Sequence, residues 1–442
     1  MANRFNIKRL ILLMSAAGTI ALHQTAMAAA FQLWEQDGAS IGNYHAGIAA
    51  EAADASTSFY NPAGLTRIKN QQFVIGGDPV ITNFRYRGTI AVITLEDPNP
   101  QPTTAQGGGF NFVPFGHYAA PINDNLVFGV SIVIPFGLKT DYDVNSIVRY
   151  AATLTQVKVI DITPSLGLAF NDKISIGVGF DAERITADFN NYPTAGASDI
   201  LFDSQSKNTG TGTAYGYHLG VLLSPTPDTR FGATYHSQVV HHLKGHSMLT
   251  GPLANSITGG TQYSGNLRAN TTLPPTTSVS GFHTINNRWD VMGSVTYTQW
   301  SVFKNLILNN AAGINSEFMQ TNNLQIIVAE HYHNSWNYSV GANYHATDQW
   351  MLRTGVGFDQ TPSNNNYRNL QLPDSDRIAV ALGTHYQATQ TIGVDVGWTH
   401  IFAMNTRINN VQQPIGPEIV TTNGSVRSSA DAFGLQLKWD II

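Results

Sequence analysis

The sequence contains no cysteine, little charge and, beyond its first 28 residues, no long apolar run. Without cysteine, the 442-residue chain forms neither disulfides nor thiolate metal sites, and it has no cysteine nucleophile. Charged residues make up 12% of it, about half of the ~25% found in soluble domains. No later segment approaches the ~18 consecutive apolar residues of a membrane-spanning helix. The remaining way across a membrane is a closed β-barrel.

Residues 1–28 have the three parts of a secretory signal peptide. Its basic end consists of Arg4, Lys8 and Arg9. An apolar core opens at residues 10–14, and residues 26–28 form an Ala-Met-Ala cleavage box. We expect a mature, exported chain that begins at Ala29, with its net charge changed from −5 to −8 by the loss of the basic end. An acidic chain without a Lys/Arg tract gives no reason to expect a nucleic-acid partner.

The chain is rich in glycine (40 residues) and in aromatic residues (21 Phe, 17 Tyr, 7 Trp), and its connections alternate between short and long. Six short turns lie at residues 121–125, 171–173, 224–228, 285–288, 346–349 and 388–390. Seven long polar connections lie near residues 83–109, 139–150, 190–212, 241–263, 304–325, 359–375 and 403–425. These connections join fourteen strands over residues 71–442 and put both chain ends on the short-turn side, as in outer-membrane barrels.

The strands alternate between apolar and polar residues. In residues 174–181, Ile, Ile, Val and Phe share one face, whereas Ser175, two glycines and Asp181 share the other. The last strand repeats the pattern from Phe433 to Ile441. We therefore expect an all-β, antiparallel, fourteen-stranded transmembrane barrel with its apolar face toward lipid. A soluble β-sandwich would alternate too, but it would not need a polar interior in every strand.

Residues 29–70 differ from the rest because they are rich in Ala, Gly and Ser and do not alternate. Asn61 followed by Pro62 fits a helix N-cap with proline at the first helical position, although an ordinary Asn-Pro turn is the alternative. Small residues pack closely in a confined space, and a porin has no use for forty residues before its first strand. We expect an N-terminal hatch of short helices inside the lumen.

Pro135, followed by Phe136 and Gly137, interrupts the third strand about nine residues after a turn. Proline cannot donate to the ladder and is confined to strand ends, edges and bulges. Pairing with a neighbour is therefore expected to fail here. The failure either opens the wall or simply ends the strand.

Together these pieces resemble the FadL-type (OmpP1/FadL/TodX) outer-membrane transporters of long-chain fatty acids and other hydrophobic compounds. The matching segments are residues 30–33, 61–63, 120–124, 135–138 with Thr140 and Tyr142, 174–180, 273–274, 279–281, 297–301, 353–359 and 372–377. Each segment is short, but their order and spacing extend over nearly the whole mature chain.

The resemblance implies passive transport by a monomer, without a cofactor, in contact with outer-membrane lipid and lipopolysaccharide. It places Phe31 and Leu33 near an interior apolar pocket. It also makes Asn61-Pro62-Ala63 the hatch motif that faces a lateral opening at Pro135-Phe136-Gly137. The cargo would be a long-chain fatty acid, with a monoaromatic hydrocarbon as the alternative.

Other residues invite rival functions. Lys244 and Arg184, in or near outer loops, could bind a fatty-acid carboxylate or could be solvated loop charges. Gly38-Ala39-Ser40-Ile41-Gly42 fits the G-x-S-x-G nucleophile elbow of a lipid hydrolase, but that motif needs a strand before the serine. Two histidine sets, His241/His242/His246 and His331/His333, lack a carboxylate at suitable spacing, so no metal site is predicted. A general porin or an adhesin is the non-enzyme alternative.

Overall fold

A computed structural model describes residues 30–93, 100–194, 203–254, 260–315, 320–412 and 419–441. The predicted signal peptide and Ala29 lie outside these ranges. Fourteen strands pair antiparallel, each with the next, and the last strand pairs with the first from Gln71 opposite Ile441 to Ile93 opposite Ile419. The sheet therefore closes into a barrel. The first strand begins and the last strand ends on the same side of it, the side of the short turns.

The strands are β1 (Gln71–Ile93), β2 (Gln101–Gln106 and Phe110–Pro121), β3 (Leu126–Asp141), β4 (Leu154–Asn171), β5 (Ile174–Asn191), β6 (Gln205–Thr226), β7 (Thr229–His236 and Val239–Gly251), β8 (Gly260–Leu273 and Thr276–Asn286), β9 (Trp289–Thr298 and Asn305–Ile314), β10 (Gln320–Ala329 and Ser335–His345), β11 (Trp350–Asp359), β12 (Arg377–Gln387), β13 (Ile392–Ala403 and Thr406–Gln412) and β14 (Ile419–Ile441). The two segments of an interrupted strand share at least one neighbouring strand, so together they form one strand of the barrel.

All six predicted short turns join consecutive strands, but most of the long connections are shorter than expected. Residues 83–93, predicted to be a loop, continue β1 and pair with β14, for example Thr89 opposite Asn423. Strand pairing satisfies the backbone N–H and C=O groups in water as well as in lipid. Polar sequence therefore marks where a strand leaves the bilayer rather than where it ends.

The outer wall carries an apolar band bordered by aromatic rings. Trp289 and Tyr344 lie next to the short turns with ring centroids 4.7 Å apart, and Tyr297 and Trp336 form a second pair with centroids 4.6 Å apart. Trp289 and Tyr297 both lie on β9, and their spacing corresponds to roughly 26 Å along a strand. Strand tilt shortens this to about 20 Å along the barrel axis, close to the ~25 Å apolar band of outer-membrane barrels.

Residues 30–70, the N-terminal segment, run inside the barrel and are mostly buried. The segment contains helices α1 (Gly38–Ile41) and α2 (Thr57–Tyr60) and a 3₁₀ helix (Pro62–Arg67); further 3₁₀ helices are Ile147–Tyr150 and Trp300–Val302. The predicted helix start is confirmed, because Asn61 Oδ1 accepts a hydrogen bond from the Ala63 N–H at 3.1 Å. In the described ranges, no helix is both long and apolar enough to cross a bilayer.

Glycines in the wall let the N-terminal segment approach closely. A Cβ atom at Gly383 of β12 would lie 2.7 Å from the Cα of Gly42. At Gly232 of β7, a Cβ would lie 1.7 Å from the carbonyl oxygen of Ala49. Side chains at either position would push the segment off the wall, so these glycines are what allow it to lie flat against the strands.

Candidate ligand-binding cavity

An apolar cavity lies inside the barrel, on the long-connection side of the N-terminal segment. Its volume is about 770 Å³ when the solvent space at its open mouth is included. It is lined by Phe31, Leu138, Thr155, Val157, Ile185, Ala187, Phe189, Asn208, Gly210, Leu243, Leu267, Ala269, Thr271, Phe303, Leu306, Leu308, Glu330, Tyr332, Gln371 and Leu372. Most of these residues are inward-facing positions of β3 to β9, so the alternation of seven strands builds the cavity.

Phe31 closes the cavity at the end nearer the short turns. Its ring packs against Trp300, Phe303 and Phe136, with centroids 4.9, 5.6 and 5.9 Å away. Phe31 therefore lies at an interior apolar cavity, where the resemblance placed it. Leu33 does not line this cavity; it packs against Gly137 and lines a second cavity nearer the short turns.

Three polar side chains meet at one edge of the cavity. Asn369 Nδ2 donates to Glu330 Oε1 at 3.1 Å, and the Tyr332 hydroxyl donates to the same carboxylate. Glu330 is buried between the two segments of β10, outside the membrane-spanning part of that strand. Burial raises the pKa of Glu330 from 4.5 to about 7, against the lowering effect of the two hydrogen bonds. The cavity edge thus carries one carboxyl group that titrates near neutrality.

The expected basic partners of a carboxylate do not reach the cavity. Lys244 on β7 and Arg184 on β5 are exposed on the outer wall, whereas their neighbours Leu243 and Ile185 face inward and line the cavity. Adjacent strand residues point to opposite faces, so these two cations cannot turn inward without moving the apolar lining outward. Among the described residues that line the cavity, none is Lys or Arg.

Pairing between β2 and β3 stops where Pro135 approaches. Gly116 pairs with Ile132, but beyond that point no residue of β3 is in register with β2, and the register of β3 with β4 shifts between Val133 and Phe136. The expected failure of pairing therefore occurs on the β2 side of β3, whereas on the β4 side pairing continues after an irregularity at residues 134–135.

Residues 31–36 of the N-terminal segment, rather than Asn61, bind the backbone that β2 leaves free. Pro135 O accepts from the Leu33 N–H, and the Gly137 N–H donates to Phe31 O, both at 2.8 Å. The Gln36 side chain donates to Ile134 O at 2.7 Å and accepts from the Ile134 N–H at 2.8 Å.

Asn61 lies elsewhere. Its Nδ2 donates to Ala49 O at 2.6 Å and to Val221 O of β6 at 3.1 Å, and Pro62 and Ala63 pack on Gly177 of β5. The expectation that Asn61 is the partner of the interrupted strand was therefore wrong. An asparagine amide fits any exposed carbonyl, and the sequence does not specify which strand it meets.

The rival motifs have ordinary explanations in the structure. Ser40 lies in the four-residue helix α1, and its hydroxyl donates to Asp37 Oδ2 at 2.8 Å. His241 faces the lumen and its Nε2 lies 2.7 Å from Glu183 Oε2, while His242 is exposed on the opposite face of the same strand. The predicted histidine loop is a strand, so its residues do not cluster.

The second histidine set also departs from expectation. His331 and His333 lie in the break of β10 and not on a strand face. His331 packs on Tyr367 with ring centroids 4.4 Å apart. His333 Nδ1 lies 2.9 Å from Asn334 O. Neither histidine lines the cavity.

Comparisons with known proteins bear on the whole chain. Residues 19–440 match the family model described as outer membrane protein transport protein (OMPP1/FadL/TodX). The long-chain fatty acid transport protein of Salmonella typhi is 29% identical over 410 residues, 87% of this chain and 90% of that protein. The solved structure of a Pseudomonas aeruginosa FadL homologue has a TM-score of 0.80 at 25% identity and covers 93% of this chain and 100% of that one. The Pseudomonas putida toluene transporter TodX shares the fold, with a TM-score of 0.70 at 15% identity over 94% of this chain and 100% of its own.

Proposed function

Because the chain belongs to the OMPP1/FadL/TodX family of outer-membrane transport proteins, we propose that it takes up hydrophobic molecules, long-chain fatty acids first among them, by passive diffusion. The observation that carries this proposal is the apolar cavity inside the barrel. Each methylene moved from water into such a cavity contributes about 0.8 kcal/mol. An acyl chain is therefore drawn inward without an energy source, which a water-filled pore does not provide.

The proposed path runs from the outer end of the barrel into the cavity and then sideways through the wall. Strand pairing between β2 and β3 stops beside Pro135, where residues 31–36 replace it. Withdrawal of these residues would leave an opening at Pro135, Phe136 and Gly137. Lateral exit keeps the apolar cargo out of water throughout. In this proposal the rest of the N-terminal segment acts as the hatch that closes the lumen to ions.

Monoaromatic hydrocarbons are the second candidate cargo. The lining contains no Lys or Arg among its described residues, and its one carboxyl group is Glu330. A ligand without charge leaves no ion unpaired in such a cavity, whereas a carboxylate must share a proton with Glu330. Toluene transporters among the proteins of the same fold support keeping this candidate. We propose that a single barrel, surrounded by lipid and lipopolysaccharide, carries either cargo without a cofactor.

Filling the cavity tests the proposal. Ala269 of β8 is buried in the lining, and the next residue, Asn270, is exposed on the outer wall. A269W should weaken binding of palmitate and of toluene to the purified protein in detergent by at least about tenfold, because the indole occupies the ligand volume. N270W is the matched control and should bind like the wild type. Unchanged binding in a folded A269W variant would show that the cavity is not the ligand site, and the ratio of the two affinities identifies the preferred cargo.

A further inference from the structure

A second cavity, of about 690 Å³, lies between the N-terminal segment and the wall, nearer the short turns than the ligand cavity. Its lining includes Asp161 of β4, Asp181 and Glu183 of β5, and His236 of β7. The ligand cavity is lined instead by apolar residues farther along the same strands. The polar groups of the second cavity therefore play no part in the proposed binding of hydrophobic cargo.

Three side chains converge here, of which Asp181 and His236 line the cavity. One ligand atom each from Asp181, His218 and His236 lies within 4.8 Å of the other two. His218 Nδ1 is 2.6 Å from Asp181 Oδ1, and the two imidazole rings stack with centroids 5.0 Å apart. Zn–N and Zn–O bonds are about 2.0–2.2 Å long. Side-chain shifts of about 1 Å, together with rotation of one of the two nearly parallel rings, would bring all three atoms to one ion.

Both histidines are held from behind by the backbone of helix α2. His218 Nε2 lies 3.0 Å from Ser58 O, and His236 forms a hydrogen bond with the Phe59 carbonyl. Metal-binding histidines almost always donate their second N–H to a carbonyl or carboxylate in this way, which fixes the tautomer and the ring orientation. Without an ion, Nδ1 donates to Asp181 Oδ1; with Nε2 donating to the Ser58 carbonyl, a metal ion would replace that proton on Nδ1.

The wall is shaped around these ligands. Gly179 lies directly across from His218 on the adjacent strand, and a Cβ there would be 2.0 Å from the His218 ring. Gly216 is likewise paired with Asp181. Gly179 thus leaves the space in which the His218 imidazole lies against the wall.

A buried carboxyl oxygen without a hydrogen-bond partner lies near these ligands. Asp161 is 2% exposed, and its Oδ1 has no hydrogen-bond partner among the described residues. It interacts electrostatically with Asp181 and Glu183, so three carboxyl groups share this part of the lumen. Buried carboxylates are normally paired with a cation or coordinated to a metal.

We propose that Asp181, His218 and His236 bind one divalent transition-metal ion, with Zn²⁺ the best match. Two imidazoles and one carboxylate are borderline ligands that suit Zn²⁺ and Co²⁺, whereas Ca²⁺ and Mg²⁺ prefer all-oxygen sites. The adjoining cavity leaves room for water as a fourth ligand. Because Ser58 and Phe59 orient the ligands, the ion strengthens the attachment of the N-terminal segment to β5, β6 and β7.

Cobalt titration of the purified full-length protein, stripped with a chelator and kept in detergent, tests the site. The wild type should bind one equivalent of Co²⁺ tightly, with the visible absorption of a four- or five-coordinate ion, and Zn²⁺ should displace it. D181N, H218Q and H236Q each remove one ligand and should weaken binding by at least about tenfold, since loss of an outer-shell partner alone costs 10- to 100-fold. H242Q removes an exposed histidine of β7 and is the matched control.

Two outcomes overturn the proposal. One is a wild-type protein without a stoichiometric tight site, in which case His218 and Asp181 form only a hydrogen-bonded pair. The other is tight binding that survives in a ligand variant whose heat-modifiable migration shows a folded barrel, or that is lost equally in H242Q. Three ligand variants are made so that a folding failure of one leaves the others to decide. As a second readout, Zn²⁺ should slow proteolysis of the N-terminal segment in the wild type and not in D181N.

Discussion

We expect Glu330 to control how the cavity accepts a carboxyl group, and the E330Q variant tests this expectation. Burial raises the pKa of Glu330 to about 7. Below that pH the side chain is protonated, and its O–H can donate a hydrogen bond to the carboxylate of a bound fatty acid. Above it, two carboxylates would face each other in an apolar cavity, so one of them must first take up a proton. The affinity for a fatty acid should therefore be full at low pH and fall as the pH rises through 7.

The size of the effect follows from the pKa. At pH 8, one unit above it, protonating Glu330 costs about 1.4 kcal/mol, whereas at pH 6 the cost is close to zero. The dissociation constant of a fatty acid should therefore rise about tenfold between pH 6 and pH 8 and level off below pH 6. A long-chain alcohol has no carboxylate and should show no such change.

The assay is displacement of a fluorescent fatty acid from the purified protein across that pH range. E330Q should bind the fatty acid with little dependence on pH, because glutamine stays neutral and keeps an N–H donor. D143N removes an exposed acid from the β3–β4 connection and should retain the wild-type slope. Subtracting the E330Q curve removes any titration of the ligand itself. A flat wild-type curve, or the same slope in E330Q, would refute the role given to Glu330.

Three further predictions concern the N-terminal segment and the wall. Deleting residues 30–70 should raise the ion conductance of the barrel in planar bilayers, and an intact protein that already conducts like an open pore would contradict the hatch. The double variant P135V/G137L should give a folded barrel that binds cargo but no longer delivers it into liposomes, because continuous pairing and a bulky side chain fill the gap. Uptake at the wild-type rate would place the exit elsewhere. N61A should destabilise the segment by about 1 kcal/mol through loss of the helix cap and by about 0.5–1.5 kcal/mol more for each of the hydrogen bonds lost to Ala49 O and Val221 O. The measurement is faster proteolysis than in the exposed control N70A.

Local features of the sequence predict the barrel well, because strand alternation and short Asn/Asp/Pro turns are local properties. The same alternation could have corrected the ligand prediction. Once Asp181 is assigned to the lumen, Ile185 must also face inward and Arg184 outward. Glu330 was out of reach, because it lies in a break of β10 without periodicity. Its place at the cavity depends on tertiary packing.

Two further features could not be predicted from the sequence. They are the cluster of Asp181 with the two histidines and the hydrogen bonds of residues 31–36 to β3. Asp181, His218 and His236 are separated by up to 55 positions, and only the register of β5, β6 and β7 brings them together. Residues 31–36 overlap the family-like segment 30–33, but nothing in their sequence shows that they form backbone hydrogen bonds with β3. Register and docking are long-range properties that a single sequence specifies only through the whole fold.

The contacts of Phe31 connect the proposed binding and exit steps. Its ring closes the ligand cavity, and its carbonyl accepts the hydrogen bond from Gly137 at the gap beside β3. Opening that gap by withdrawing residues 31–36 would break this bond, the one from the Leu33 N–H to Pro135 O and the two between the Gln36 side chain and Ile134, at a net cost of about 0.5–1.5 kcal/mol each. Burial of eight methylenes contributes about 6 kcal/mol, enough to offset all four. A cargo that fills the cavity and displaces Phe31 can therefore supply the free energy for its own exit, whereas a small polar molecule cannot.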